Sequence, residues 1–109
     1  MCTHVLWSGK SSSDKLCSSN AVFYGEKAID RSPCGTGCSA KLACLAEEGL
    51  LPENKEWIQE SIIGSLYSTH YSWSMGGNII PTITGKAFVT SEATLHFNPL
   101  DPYSYGISL

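Results

Sequence analysis

With 109 residues, a net charge of −3 from 7 Lys and Arg against 10 Asp and Glu, and 42% apolar residues, the chain suits one globular domain and offers no electrostatic footprint for nucleic acid. No stretch is long and apolar enough for a transmembrane helix, and the first residues lack the apolar core of a signal peptide. The five cysteines are odd in number, and Cys34, Cys38 and Cys44 fall in one helical region, so reduced thiols in a cytoplasmic protein are expected rather than a disulfide framework. A domain of this length buries only about two-thirds of its unfolded surface, which favours marginal stability and a large partner surface.

In chain order, Thr3 to Trp7 alternates as a short strand, and residues 8–19, rich in Ser and Lys, form an expected exposed loop in which Cys17 is an incidental thiol. Ala21 to Tyr24 reads as a strand leading through Gly25 to a glycine-rich elbow, Asp30 to Ala40. The helix that follows starts near Thr36 or Gly37, runs through Glu48 and stops at Gly49, the usual residue just past a helix C-terminus. Small or apolar side chains surround it nearly completely, the pattern of a buried helix in which Cys38 and Cys44 pack.

Pro52 prevents the helix from continuing, and strand texture then takes over: Trp57 to Ser61, Leu66 to Ser74, Ile79 to Ile83, Ala87 to Thr90 and Ala93 to Phe97. Turn signals stand at Gly64, at Met75 to Asn78, at Gly85 and at Asn98-Pro99. The apolar spacing slips near Thr69 and His70, which predicts a bulge. One apolar helix with five or more strands gives an α+β domain, an antiparallel sheet curled around a central buried helix. Trp57, Trp73 and Tyr103 to Ile107 are candidates to cover an open face, with Trp57 the better candidate for ordinary core packing.

The elbow carries the chemistry. Pro33 fixes one backbone angle, and Gly35 and Gly37 allow close approaches. Cys34 sits between them, where free backbone N–H groups and the helix dipole favour negative charge on a bound ligand or on sulfur. Asp30 lies four residues earlier, where an acid readily forms a turn or enters a helix, and Arg31 orients the loop. His4, His70 and His96 are too scattered for a metal site, and a redox pair of Cys34 and Cys38 is the minor alternative.

The run Asp30-Arg31-Ser32-Pro33-Cys34-Gly35-Thr36-Gly37, followed by Ser39-Ala40, resembles the second cysteine motif of the proline racemase family, which includes 4-hydroxyproline 2-epimerases. The likeness extends through Lys41 to Leu45, Gln59 to Ser65, Pro81 to Ala87 and Asp101-Pro102-Tyr103, and so covers nearly the whole chain. The run Ala43 to Ala46 together with Glu60 to Ser65 most resembles the hydroxyproline branch. Cys38 departs from the family, which usually carries Thr there. The Cys-Gly-His motif of the family's N-terminal half has no counterpart; Met1-Cys2-Thr3-His4 lacks the glycine.

The resemblance implies one lobe of the proline racemase and diaminopimelate epimerase-like fold, the C-terminal part of a two-lobed epimerase. It implies proton transfer at Cα of 4-hydroxyproline or proline between two thiols on opposite faces, with no cofactor and no metal. Cys34 would be one of the thiols, Gly35 and Thr36 would offer amides to the substrate carboxylate, and Asp30 would accept a hydrogen bond from the ring nitrogen. Relatives that dehydrate 3-hydroxyproline tend to carry Thr in place of this cysteine, so Cys34 favours inversion. The implied partners are the substrate and the missing N-terminal half, with a homodimer also to be considered; no nucleic acid or membrane is implied. The competing expectation is an inactive truncated or split module that serves only as a folding or binding partner of that half.

Overall fold

The computed structural model describes residues 3–10 and 17–107. Strand β1 (His4–Lys10) pairs antiparallel with β2 (Cys17–Tyr24), His4 opposite Tyr24 and Lys10 opposite Ser18. The expected loop is therefore shorter at both ends than its composition suggests; its centre, residues 11–16, lies outside the described residues. Backbone pairing needs no apolar side chains, and Ser18 and Asn20 are buried for polar reasons given below.

The short β3 (Ala28–Ile29) returns against the end of β2, and α1 (Gly35–Glu47) follows. The helix starts slightly earlier than expected and ends as expected: Gly49 takes φ 67, and its amide bonds the Ala46 carbonyl at 3.0 Å. Next come β4 (Trp57–Ser61), β5 (Leu66–Trp73) and β6 (Ile79–Thr84), joined by turns at Gly64 (φ 80) and Gly77 (φ 75). The sheet order is β1-β2-β4-β5-β6, with β3 beside β2.

Four expectations are corrected. The sheet is mixed, because β4 pairs with β2 in parallel, Ser18 beside Gln59 and Asn20 beside Ser61. The helical crossover brings the chain back in the same direction, which a hairpin cannot do. The bulge near Thr69 is absent; registry is unbroken from Trp57 opposite Thr69 to Glu60 opposite Leu66, and from Ser68 opposite Thr84 to Trp73 opposite Ile79. The apolar spacing slips there because a polar residue, Thr69, occupies an interior position. Ala87 to Thr90 and Ala93 to Phe97 form no strand; among the described residues nothing pairs with them, and Phe88 and Leu95 are 83% and 75% exposed. Finally, α1 is buried along one side only. Cys38, Leu42 and Leu45 face the sheet, while Ala40, Cys44 and Glu47, spaced one turn apart, are exposed. Cys44 is thus a surface thiol and not a packed one.

The core has two zones. Under the C-terminal half of α1, Leu42 and Leu45 pack with Leu51 and Tyr71, joined by Ala46, Trp57 and Ile79. Trp57 is a core aromatic, as the sequence favours, and its indole N–H donates to Ser18 Oγ at 3.3 Å. Under the N-terminal half, the sheet presents buried Ser18, Asn20, Gln59, Ser61 and Thr69. The Gln59 amide oxygen accepts from Asn20 Nδ2 at 2.7 Å, and its nitrogen donates to Thr69 Oγ1 at 3.3 Å and to the Cys38 carbonyl at 3.4 Å. Thr69 Oγ1 donates in turn to the Trp57 carbonyl at 2.6 Å. Among the described residues no buried side-chain nitrogen or oxygen lacks a partner, as the cost of desolvating such groups requires. Gln59→Leu should destabilise the chain by about 2 kcal/mol, because the Asn20 amide and the Cys38 carbonyl each lose a buried partner. Urea denaturation followed by tryptophan fluorescence measures this, and a midpoint equal to wild type would show that the network contributes little.

Candidate functional site

The elbow between β3 and α1 is fastened from both sides. The Asp30 amide donates to the Val22 carbonyl of β2 at 2.9 Å, and Ser65, in the β4–β5 turn, donates its hydroxyl to the Arg31 carbonyl at 3.2 Å. Ser65 is itself held by Ser61, Oγ to Oγ at 2.6 Å. Within the elbow, Asp30 Oδ1 accepts from the Ser32 amide at 2.8 Å, and Ser32 Oγ accepts from the Cys34 amide at 3.0 Å. These two side-chain-to-backbone bonds make consecutive tight turns that deliver the chain to the helix.

Cys34 is the N-cap of α1 and adopts φ 70, ψ 116. A side chain in that half of the backbone map costs on the order of 1–3 kcal/mol and persists only where the surroundings impose it. Here the Cys38 amide bonds the Cys34 carbonyl at 2.9 Å, and the Cys34 sulfur accepts from the Gly37 amide at 3.4 Å and lies 3.5 Å from Thr36 Oγ1. Gly37 lets β1 approach closely: a Cβ there would stand 2.6 Å from Leu6 Cδ1 and 3.4 Å from the Cys34 sulfur, so the Leu6 side chain would have to move to admit one. Gly35 and Thr36 are exposed in the first turn, where helical amides have no intrahelical acceptor.

The structure therefore brings Asp30, Cys34, Gly35 and Thr36 together, with Cys34 half-buried. One Asp30 oxygen is committed to the turn, so this acid has a structural role whatever else it does. Beside the elbow lie two clefts. One, of about 340 Å³, is bordered by Gly35, Tyr67, Ile83 and Lys86; another, of about 570 Å³, is bordered by Ser32, Ser65, Tyr67 and Phe88. Leu6, Ser61 and Ser65 are the contributors that residue chemistry alone did not single out. In sequence Glu60 to Ser65 is only a segment that resembles the family, and its function as a brace is visible only once β4 and β5 are placed.

Cys38 is fully buried, its S–H donating to the Pro33 carbonyl at 3.3 Å, with Asn20 Nδ2 3.8 Å from the sulfur. Burial, reinforced by the neighbouring Cys34, pushes its thiol from 9.0 up to about 12. Cys38 thus stays protonated where Cys34 is half-exposed, a poor arrangement for a redox pair, and all four described cysteines are free thiols. His4 stacks on Tyr24 with ring centroids 6.0 Å apart, His70 is half-buried and His96 exposed. No group of three His, Cys, Asp or Glu side chains capable of holding a metal occurs among the described residues.

A mostly antiparallel sheet on one helix, with a cysteine capping that helix beside an acid and free amides, defines an α+β lobe built around a thiol site. The sequence profile described as "Proline racemase" matches residues 1–108, and the chain belongs to the proline racemase family. It is 55% identical over 106 residues to a 4-hydroxyproline 2-epimerase of Roseibium aggregatum, covering 97% of this chain and 34% of the relative. A 4-hydroxyproline 2-epimerase of Roseibium alexandrii is 61% identical over 90 residues, covering 83% of this chain and 28% of the relative. Among solved structures, a probable proline racemase from Agrobacterium radiobacter with bound carbonate superposes with a TM-score of 0.76 at 31% identity, covering 98% of this chain and 32% of that one. A hydroxyproline epimerase from Agrobacterium vitis with bound trans-4-hydroxy-L-proline superposes with a TM-score of 0.74 at 29% identity, covering 98% of this chain and 31% of that one. The chain thus spans about a third of the length of these proteins.

Iodoacetamide at pH 8, read by peptide mass spectrometry, should label Cys34 and Cys44 of the native protein and spare Cys38 until denaturant is added; native labelling of Cys38 would contradict its burial. The raised folded value also fixes a pH dependence. Because the folded thiol holds its proton more tightly than the unfolded one, its contribution to stability is fully present below about pH 9 and is lost as pH rises toward about 12. Cys38→Thr, which does not titrate, should flatten the fall of the denaturation midpoint across that window, and parallel curves for the two proteins would refute the linkage.

Proposed function

We propose that this chain is the C-terminal part of a two-lobed isomerase that inverts Cα of 4-hydroxyproline, or of proline, by proton transfer between two thiols, and that Cys34 is one of them. The observation that carries this reading is the cysteine itself. Its side chain caps the helix in a backbone conformation that costs energy, directly beside the Gly35 and Thr36 amides. Removing a Cα proton at neutral pH needs a base poised at that carbon and donors aimed at the carboxylate on which charge grows. Cys34 as thiolate would take the proton on one face while an acid from the rest of the polypeptide delivers one to the other. The roles exchange in the reverse direction, and the chemistry calls on no cofactor.

Gly35 and Thr36 would hold the substrate carboxylate, where the helix dipole also favours an anion. Asp30 would accept from the ring nitrogen through whatever the turn leaves free of its carboxylate. The choice of 4-hydroxyproline rests on the names of the relatives that share 55% and 61% of their aligned residues with this chain. The free thiols suit a cytoplasmic protein, and no helix among the described residues is long and apolar enough to cross a membrane.

A second reading has its own support. The chain spans 34% of a relative and holds one cysteine motif of this kind, and one thiol cannot both remove a proton from one face and deliver one to the other. On that reading the 109 residues are inactive alone and act as the folding partner of the missing N-terminal half. A homodimer bringing two copies of Cys34 face to face is disfavoured, since it would impose two-fold symmetry on an asymmetric substrate.

Chiral chromatography of trans-4-hydroxy-L-proline and L-proline, incubated with this chain alone and with the polypeptide that also carries the N-terminal half, separates these readings. Inversion is expected only in the second case and is expected to disappear in Cys34→Ser; inversion that survives that substitution removes Cys34 from the mechanism. Asp30→Asn keeps an acceptor for the Ser32 amide but removes the charge, so KM should rise about tenfold with the fold intact. An unchanged KM would leave Asp30 a turn former only.

A further inference from the structure

The mechanism above leaves one buried sulfur without a task. Cys38 lies one turn into α1, fully enclosed, in a pocket where polar partners meet it from two directions. Its S–H points back at the Pro33 carbonyl at 3.3 Å, and the Asn20 amide approaches the sulfur at 3.8 Å. Its own backbone is held as well, the amide on the Cys34 carbonyl at 2.9 Å and the carbonyl on Gln59 Nε2 at 3.4 Å. The Pro33 carbonyl belongs to the peptide unit that joins Pro33 to Cys34, so a donor on that oxygen fixes the plane from which φ of Cys34 is measured. Rotating this plane to relax φ 70 would strip the buried S–H of its acceptor and carry the sulfur of Cys34 away from the Gly37 amide.

We propose that Cys38 is a positioning residue: the hydrogen bond from its side chain to the Pro33 carbonyl holds Cys34 in its positive-φ conformation and so aims the Cys34 sulfur. The assignment rests on the role given to Cys34 above. It requires a donor at position 38 and is indifferent to sulfur as such, so Thr or Ser should serve and Val or Ala should not. That requirement separates it from packing alone, for which Val, close to Thr in shape, would be the better replacement. Neighbouring groups are accounted for. Ser32 Oγ accepts from the Cys34 amide and Asp30 Oδ1 accepts from the Ser32 amide, so the same peptide unit is held on its N–H side as well.

The test compares Cys38→Thr with Cys38→Val, and Cys38→Ser with Cys38→Ala in case the larger side chains do not fit, each checked for folding by circular dichroism and thermal melting. Two readouts are taken: kcat and KM for trans-4-hydroxy-L-proline in the polypeptide carrying both halves, and the rate at which iodoacetamide alkylates Cys34. Val and Ala should lower kcat about tenfold with a smaller change in KM, because a misaimed base affects the chemical step more than ground-state binding. They should also change the Cys34 alkylation rate several-fold, whereas Thr and Ser stay within about twofold of wild type in both. Val matching Thr in both readouts overturns the assignment, as does Thr failing together with Val while all variants melt alike. If Cys34→Ser retains inversion, the proposed function fails instead; the alkylation readout still decides whether the side chain at 38 sets the geometry of Cys34.

Discussion

The interaction on which the architecture depends is the set of hydrogen bonds made by one buried amide, that of Gln59. From the centre of β4 it reaches Asn20 on β2, Thr69 on β5 and the backbone of α1 at Cys38. The parallel junction of β2 and β4 is the least local pairing in the sheet, and this side chain crosses it. A shift of β4 by one residue would turn Gln59 to the other face and leave Asn20, Thr69 and the Cys38 carbonyl without this partner. A polar centre of this kind contributes little net stability compared with apolar packing, but it penalises wrong arrangements heavily, because each unpaired buried group costs about 1–3 kcal/mol. The apolar cluster of Leu42, Leu45, Leu51 and Tyr71 holds the C-terminal half of the helix. The amide network sets where its N-terminal half lies.

That division of labour places the site. The helix entrance sits over the polar zone, and fixed bonds connect the sheet to the cysteine: Gln59 to the Cys38 backbone, the Cys38 side chain to Pro33, and the Cys38 amide to the Cys34 carbonyl. Asp30 and Ser65 brace the approach from β2 and from the β4–β5 turn. An uncommon backbone conformation at a non-glycine residue needs such support from several directions. The segments that supply it, β2 on one side and β4 with the turn that follows it on the other, are far apart in the chain.

Much of the apolar surface remains uncovered. Ala40 and Cys44 line the outer side of α1, Trp73 is 40% exposed, and Phe88, Leu95, Phe97, Tyr103 and Ile107 stand out from residues 85–107, which form neither helix nor strand. Isolated exposed apolar residues are ordinary, whereas a continuous run of them marks a surface intended for contact. The chain spans about a third of the length of its relatives, and under the proposed function this is the surface against which the rest of the polypeptide would pack.

Local chemistry was legible in the residues. Pro33, Gly35 and Gly37 around Cys34 announced an elbow entering a helix, Gly49 announced its end, and alternation placed β4, β5 and β6 closely, because capping, turn preference and period-two patterning act within a few residues. The family motif was likewise readable, since it is a contiguous string. What tertiary structure alone decided depends on partners distant in sequence. The parallel β2–β4 junction, the burial of Ser18 in what composition suggested was a loop and of Asn20 just past it, and the polar interior that resembled a bulge at Thr69 all follow from Gln59 meeting side chains on other strands. The exposure of Cys44 follows from which side of α1 the sheet covers. Hydrophobicity along a chain records that a residue suits burial; only the arrangement of the sheet determines whether a partner is there to bury it.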